Sequence, residues 1–134
     1  MDPDEFPTPA AEVESLTPAA LKARIDREEP VTVLDARTPG DFEEWHVDGP
    51  SVEIVNVPYY EFLGEAVDEE LRSTVPEGDP LIVLCAKGGA SEYVAGRLIE
   101  AGRDVVHLED GMNGWARLYE RHEVTRYDGP GTLY

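Results

Sequence analysis

The chain has 134 residues, 41% of them hydrophobic, which is enough for one domain with a buried core and too few for two. Its 29 acidic and 11 basic residues give a formal net charge of −18, which disfavours nucleic-acid binding because phosphates would be repelled. The acidity predicts a surface adapted to high salt, since the screening length falls to roughly 3 Å at about 1 M salt and self-repulsion then weakens.

Strands and helices alternate along the first half of the chain. Residues 1–14 are acidic and proline-rich, and we expect a loosely ordered lead-in there. A helix is predicted to follow Thr17, with Pro18 at its first position, because these residue types suit an N-cap and N1. The next predicted elements are a buried strand at 31–34, a short helix from Pro39, a strand at 51–57, and amphipathic segments at 59–63 and 67–71.

The second half is organised around residues 81–102. Residues 81–84 are all apolar, which is typical of a strand buried on both faces of a parallel sheet. A helical pattern runs from Ser91 to Gly102, where a glycine that ends the helix belongs. The remaining predictions are a strand at 104–108, a helix at 112–119 and a C-terminal tail with a turn at 128–131.

This alternation predicts an α/β fold with a mostly parallel central sheet of about five strands and helices on both faces. No apolar run approaches the roughly 20 residues that span a membrane. The acidic first residues predict neither a secretory nor a mitochondrial signal, and a single cysteine fits a reducing cytoplasm. The histidines and the cysteine lack metal-ligand spacing, so no metal site is predicted.

The single cysteine, Cys85, stands at the end of the strand at 81–84 and before a loop of small residues. A glycine-rich turn lets several backbone N–H groups converge on one point, and the helix that follows adds the positive end of its dipole. Such surroundings favour a thiolate over a thiol. The alternative is that Cys85 is simply a small buried hydrophobic residue.

A second strand end also carries chemical groups, because Asp35 and Arg37 follow the strand at 31–34. In parallel α/β folds, ligands bind beyond the carboxyl ends of the strands. Asp35 and Arg37 are therefore candidates for supporting a site, and an ordinary loop-stabilising ion pair is the alternative. His46 is expected to bind backbone groups rather than to act in catalysis.

Four segments, in order along the chain, resemble the single-domain rhodanese-like sulfurtransferase family: SLTPAALKARI, VLDARTPGDFEEWHVDGPSVEIVNVP, CAKGGAS and VVHLEDGMNGW. The resemblance implies a rhodanese-like domain over residues 15–122, followed by a tail at 123–134. Two departures stand out. Asp110 occupies a position that is usually glycine, which could alter a turn near the site. The loop carries one cation, Lys87, where many thiosulfate-using members have more, which bears on the identity of the sulfur donor.

The resemblance implies a thiosulfate sulfurtransferase that works through a persulfide on Cys85, without a cofactor. Lys87 would attract an anionic donor, and Asp35 and Arg37 would support the loop. The residues implied in substrate binding are Ala86, Lys87, Gly88, Gly89, Ala90 and Ser91. The implied partners are a small sulfur donor and a thiol or cyanide acceptor, or a sulfur-carrier protein, with no nucleic acid and no membrane.

Two other functions stay open at this point. The domain could carry sulfur or bind a partner with little thiosulfate turnover. It could also be a related phosphatase or arsenate reductase, although those enzymes need an arginine six residues after the cysteine to bind a tetrahedral oxyanion, and this chain has Ser91 there.

Overall fold

The structure, a computed structural model, describes residues 12–64 and 67–122, and side chains as far as residue 118. Its strands are β1 (Glu14–Leu16), β2 (Val31–Asp35), β3 (Val52–Asn56), β4 (Leu81–Leu84) and β5 (Val105–Leu108). Its α-helices are α1 (Pro18–Asp26), α2 (Pro39–Glu44), α3 (Glu69–Thr74), α4 (Gly89–Glu100) and α5 (Gly111–His122). A 3-10 helix lies at Tyr59–Phe62.

The five strands form one sheet in the order β1-β5-β4-β2-β3, and every pairing is parallel. This confirms the α/β fold with a parallel sheet of about five strands. β4 is buried at every position, as its apolar residues predict, and lies between β5 and β2. Because Asp35 pairs with Leu84, the carboxyl ends of β2 and β4 lie side by side. The two strand ends that carry chemical groups are therefore neighbours.

Helices cover both faces of the sheet, as predicted, and the side chains of β4 alternate between two apolar cores. Val83 faces a core formed with α4 and the 3-10 helix, whereas Ile82 and Leu84 face a core formed with α1 and α5. The first core includes Leu34, Phe62, Val94 and Leu98, and the second includes Leu21, Val33, Met112 and Trp115. The end of β4 is thus fixed from both sides.

Some element boundaries differ from the predictions. β1, which pairs with β5 at the edge of the sheet, is not predicted from the sequence, and it begins at Glu14 within the expected lead-in. The N-cap prediction is confirmed, because the Ala20 N–H donates to Thr17 Oγ1 at 3.1 Å. Residues 1–11 of the lead-in and the predicted tail at 123–134, with its turn, lie outside the described residues. Within the described part of the chain, no helix has the length and apolar character needed to cross a bilayer.

Candidate active site

The cysteine lies at the centre of the loop that joins β4 to α4, here called the sulfur loop (residues 85–91). Cys85 is 5% exposed, and its Sγ accepts the N–H of Gly88 at 3.0 Å and the N–H of Ser91 at 3.2 Å. Gly88 has φ +111°, a backbone conformation that favours glycine, so the chain can turn both N–H groups toward one atom. Converging N–H groups form a binding site for an anion, and a thiolate can only accept hydrogen bonds.

Helix α4 begins at Gly89, two residues earlier than predicted, so the last three residues of the sulfur loop belong to its first turn. The N–H groups of a first turn have no partner within the helix and lie at the positive end of its dipole. The Ser91 hydroxyl donates to the Gly88 carbonyl at 3.0 Å, and the Glu92 N–H donates to the same carbonyl at 3.0 Å. These bonds fix the segment that supplies both donors to the sulfur.

The carbonyl groups of the sulfur loop are bound by the start of α5. The Met112 N–H donates to the Cys85 carbonyl at 2.7 Å, and the Asn113 N–H donates to the Ala86 carbonyl at 2.9 Å. A Cβ atom at Gly111 would lie 2.2 Å from the Cys85 carbonyl oxygen, so only glycine allows this approach. The N–H groups of Gly88 and Ser91 thus bind the sulfur, while the carbonyls of Cys85 and Ala86 bind α5.

Asp110, the departure from the family pattern, leads into α5 with φ +60°. Aspartate tolerates this left-handed conformation better than most side chains do. Its Oδ2 also lies 3.2 Å from Nη2 of Arg117 in an exposed ion pair. The turn therefore has a backbone conformation that glycine would also adopt, and the aspartate leaves the approach of α5 to the sulfur loop in place.

Asp35 and Arg37 form a buried ion pair at the neighbouring end of β2. The Arg37 Nη2 atom lies 2.7 Å from Asp35 Oδ2, and Arg37 Nε lies 3.0 Å from Asp35 Oδ1. The Arg37 side chain is 2% exposed and that of Asp35 is 0% exposed, so this is no ordinary surface ion pair. Arg37 also donates to the Trp45 carbonyl at 2.6 Å, and none of these bonds involves the Cys85 sulfur.

Backbone contacts link the end of β2 to the sulfur loop. The Ala36 N–H donates to the carbonyl of Leu84, the residue before Cys85, at 2.8 Å. Asn56, for which the sequence predicts no role, donates its side-chain amide to the carbonyls of Asp35 and Arg37 at 2.9 Å each. In the sequence it is a polar residue at the end of a predicted strand, within the second segment that resembles the family. The segment around Ala36 is thus held by side chains, and it in turn holds the last residue of β4.

Two further predicted residues have clear places in the structure. Lys87 is exposed on the sulfur loop, where its charge is accessible to an anion in solution. His46 donates its Nδ1–H to the Phe42 carbonyl at 2.8 Å, which confirms the prediction that it binds backbone groups.

His107 on β5, for which no role is predicted, completes a polar cluster behind the sulfur loop. Its side chain is largely buried, with Nδ1 at 3.3 Å from Ser91 Oγ and Nε2 at 3.8 Å from a Glu92 carboxylate oxygen. Burial lowers the pKa of His107 from 6.5, while the carboxylates of Glu92 and Glu109 act in the opposite direction. In the sequence it is a histidine between apolar residues in a short strand, within the fourth segment that resembles the family.

A cavity of about 460 Å³ lies at the end of β3 and does not include the sulfur loop. Three of its lining residues are acidic, namely Glu61, Asp68 and Glu70, so it is poorly suited to an anionic sulfur donor. Among residues 12–64 and 67–122, no group of three or more histidine, cysteine, aspartate or glutamate side chains could hold a metal ion. The sulfur loop is the candidate site.

The sequence profile described as "Rhodanese-like domain" matches residues 17–118, which is more than half of the chain. The chain belongs to the rhodanese-like domain family. This rhodanese-like domain is 32% identical over 102 residues to "Thiosulfate sulfurtransferase GlpE" of Pseudomonas aeruginosa (strain LESB58), with 75% of this chain and 84% of that protein covered.

Other similar proteins extend this relationship. "Putative sulfur carrier protein YrkF" of Bacillus subtilis (strain 168) is 27% identical over 107 residues, which is 79% of this chain. The chain spans only 52% of the length of that protein. A rhodanese-related protein from Thermoplasma volcanium shares the fold with a TM-score of 0.62 at 24% identity, covering 78% of this chain and 92% of that structure.

Proposed function

We propose that this rhodanese-like domain transfers sulfane sulfur from a donor such as thiosulfate to a nucleophilic acceptor, through a persulfide on Cys85. The observation that carries the proposal is the pair of N–H groups, from Gly88 and Ser91, that bind the Cys85 sulfur at the start of α4. A site of this kind suits both the attacking thiolate and the anionic persulfide. The name of the related GlpE protein supports the same chemistry.

In the first step, the Cys85 thiolate attacks the outer sulfur of thiosulfate. The new bond joins Sγ to that sulfur while the sulfur–sulfur bond of thiosulfate breaks, and sulfite leaves with the bonding electron pair. The product is Cys85–S–S⁻, so the total negative charge is unchanged. The N–H groups of Gly89 and Ala90, in the first turn of α4, are the donors that we propose for the terminal sulfur.

In the second step, a nucleophile attacks the terminal sulfur of the persulfide. The bond between the two sulfurs breaks, its electron pair returns to Cys85 as a thiolate, and the acceptor keeps the sulfur. Cyanide would give thiocyanate, and a thiol or a sulfur-carrier protein would give a new persulfide. A reducing compartment such as the cytoplasm would keep Cys85 reduced between cycles.

The second candidate function is a sulfur carrier with little thiosulfate turnover. The name of the YrkF relative favours it, as does the acidity of the chain, because a net charge of −18 repels a dianionic donor and the sulfur loop has one cation, Lys87. The phosphatase alternative is disfavoured because Ser91 cannot replace a bidentate arginine. A phosphatase would release phosphate from an aryl phosphate in a Cys85-dependent manner.

The experiment that tests the proposed function compares steady-state turnover with a single transfer. Purified protein is supplied with thiosulfate and excess cyanide, and thiocyanate is measured over many turnovers. Separately, protein loaded with one sulfur is mixed with a thiol acceptor. Continuous thiocyanate production supports the enzyme, whereas one rapid transfer with negligible turnover supports the carrier. Absence of both reactions would reject the proposed function.

We also propose that the acidic surface is an adaptation to high salt. The chain has 29 carboxylate side chains against 11 lysines and arginines, and they repel one another when unscreened. The melting temperature is therefore expected to rise between about 0.1 and about 2 M KCl, as the screening length shortens. A melting temperature that is flat or falls across this range would contradict the adaptation.

A further inference from the structure

The polar cluster behind the sulfur loop connects His107 to the sulfur without direct contact. Ser91 is the connecting residue, because its N–H binds Cys85 Sγ at 3.2 Å and its Oγ lies 3.3 Å from His107 Nδ1. Ser91 is completely buried and His107 is 8% exposed. Buried polar groups that are hydrogen-bonded to one another fix a local geometry more firmly than exposed ones do.

The single proton of the Ser91 hydroxyl decides how this connection works. The Gly88 carbonyl can only accept a hydrogen bond, so at 3.0 Å the hydroxyl must donate to it. The same hydroxyl can then bind His107 only by accepting a hydrogen bond from the Nδ1–H. If Nδ1 lacked its proton, the hydroxyl would have to turn toward His107 and leave the Gly88 carbonyl. The protonation of Nδ1 is thus coupled to the Gly88–Ser91 bond.

Two carboxylates act on His107, one from α4 and one from just past the end of its own strand. Glu92 on α4 is 3.8 Å from Nε2, and Glu109 follows His107 just past the end of the same strand. On the neighbouring strands, Ser15 of β1 and Val83 of β4 pair with His107 in register, and neither has a charged side chain. The charged groups that act on the ring are therefore the carboxylates of Glu92 and Glu109, and Ser91 Oγ lies 3.3 Å from Nδ1.

We propose that His107 is a positioning residue for Cys85. His107 donates its Nδ1–H to the Ser91 hydroxyl and thereby keeps in place the two N–H groups that bind the sulfur. The consequence is that the reactivity of the Cys85 sulfur depends on His107 through Ser91. The value of this arrangement for sulfur transfer rests on the proposed function, whereas its effect on the reactivity of Cys85 does not.

The test measures the rate at which iodoacetamide alkylates Cys85 as a function of pH, on the full chain. His107→Leu removes the N–H donor, and His107→Asn keeps an amide N–H near the position of Nδ1. Ser91→Ala removes the hydroxyl while leaving the backbone N–H. His46→Asn is the matched control, since His46 is a partly buried histidine bonded to a backbone carbonyl elsewhere.

His107→Leu is expected to move the midpoint of the alkylation curve about half a unit to higher pH and to slow alkylation at neutral pH about threefold. His107→Asn should retain most of the original behaviour, and His46→Asn all of it. In a Ser91→Ala background, His107→Leu should add no further shift. In sulfur transfer, His107→Leu should lower kcat/KM by a similar factor.

Several outcomes would overturn the proposal. One is an alkylation midpoint that His107→Leu leaves unchanged, and another is a shift in His107→Asn as large as that in His107→Leu. A third is a shift by His107→Leu that is as large in the Ser91→Ala background as in the original protein. If His107→Leu does not fold, Ser91→Ala must still produce the shift and His107→Asn must not. Alkylation needs neither donor nor acceptor, so a protein without sulfur transfer would reject the proposed function and leave this test intact.

Discussion

The neighbouring ends of β2 and β4 are stabilised differently, the first by bonds between side chains and the second by bonds of the backbone. At the end of β2, two oppositely charged side chains bind each other in a buried pair, and Asn56 binds the backbone beside them. At the end of β4, most residues that follow Cys85 are small, and the hydrogen bonds come from the backbone. Loop N–H groups donate to the sulfur, and the Cys85 and Ala86 carbonyls accept from N–H groups of α5.

The difference assigns separate tasks to the two strand ends. Side-chain ion pairing fixes a geometry and neutralises each charge by its partner, and the one Arg37 nitrogen without a hydrogen-bond partner, Nη1, is buried. Backbone N–H groups at a helix start leave the sulfur reactive and can donate hydrogen bonds to a second sulfur atom. The end of β2 should therefore control stability, and the end of β4 should control chemistry.

The largest expected effect is the loss of sulfur transfer in Cys85→Ser. An alcohol cannot hold sulfane sulfur, so thiocyanate production from thiosulfate and cyanide should fall to background. Since the hydroxyl is small and can accept the same N–H groups, the unfolding free energy should change by less than about 1 kcal/mol. Urea unfolding measured beside the activity checks both statements. Thiocyanate production near the original rate would remove Cys85 from its role.

Asp35→Asn should have the converse effect. It leaves the buried Arg37 cation without its counter-charge, which is expected to lower the unfolding free energy by about 3–5 kcal/mol. Activity per folded molecule should change far less than in Cys85→Ser. The matched control is Asp26→Asn, which breaks the exposed Lys22–Asp26 pair on α1 and should cost only about 0.3–0.5 kcal/mol. Equal losses in the two variants would contradict a structural role for the buried pair.

Lys87→Ala tests whether a side chain adds to the backbone site at the end of β4. At low salt, kcat/KM for thiosulfate should fall roughly fivefold through a higher KM, and the pH–rate profile should move to higher pH. The effect should shrink at molar salt, which screens an exposed charge. Lys22→Ala, the same change at the other lysine, is the control. If both variants keep the original kcat/KM, the backbone alone binds the donor.

The smallest effect concerns stability and pH at His107. Burial lowers the pKa of His107 in the folded state below 6.5, the value expected in the unfolded chain. At a pH between the folded and the unfolded pKa, the unfolded chain therefore binds more protons. This contribution to stability is present above pH 6.5 and is lost as the pH falls below it. The unfolding free energy of the protein minus that of His107→Asn should therefore decrease as the pH is lowered from about 7.5 to about 5.5. Urea unfolding at several pH values checks this, and a constant or opposite difference would contradict it.

Local patterns account for the parts of the molecule that could be predicted from the sequence. Four apolar residues predicted β4, Thr17 predicted a helix start, and Gly102 ends α4 with φ +90° and its N–H bonded to the Ile99 carbonyl. Each of these features is decided within a few residues of the chain.

The parts that escaped prediction depend on contacts between distant residues. β1 has three residues and exists through its pairing with β5, which lies about 90 residues further along. Ser91 and His107 are 16 residues apart and meet only because α4 packs on β5. Gly111 needs to be glycine because its backbone approaches the Cys85 carbonyl, and that approach exists only after α5 has packed against the sulfur loop.

The most direct test of the central claim is the intact mass of the protein after treatment with thiosulfate. The account predicts an increase by one sulfur atom, located on Cys85 by peptide mapping, reversed by cyanide with release of thiocyanate, and absent in Cys85→Ser. A mass that does not change with thiosulfate or with other sulfane sulfur donors would contradict the account, as would an added sulfur that cyanide does not remove.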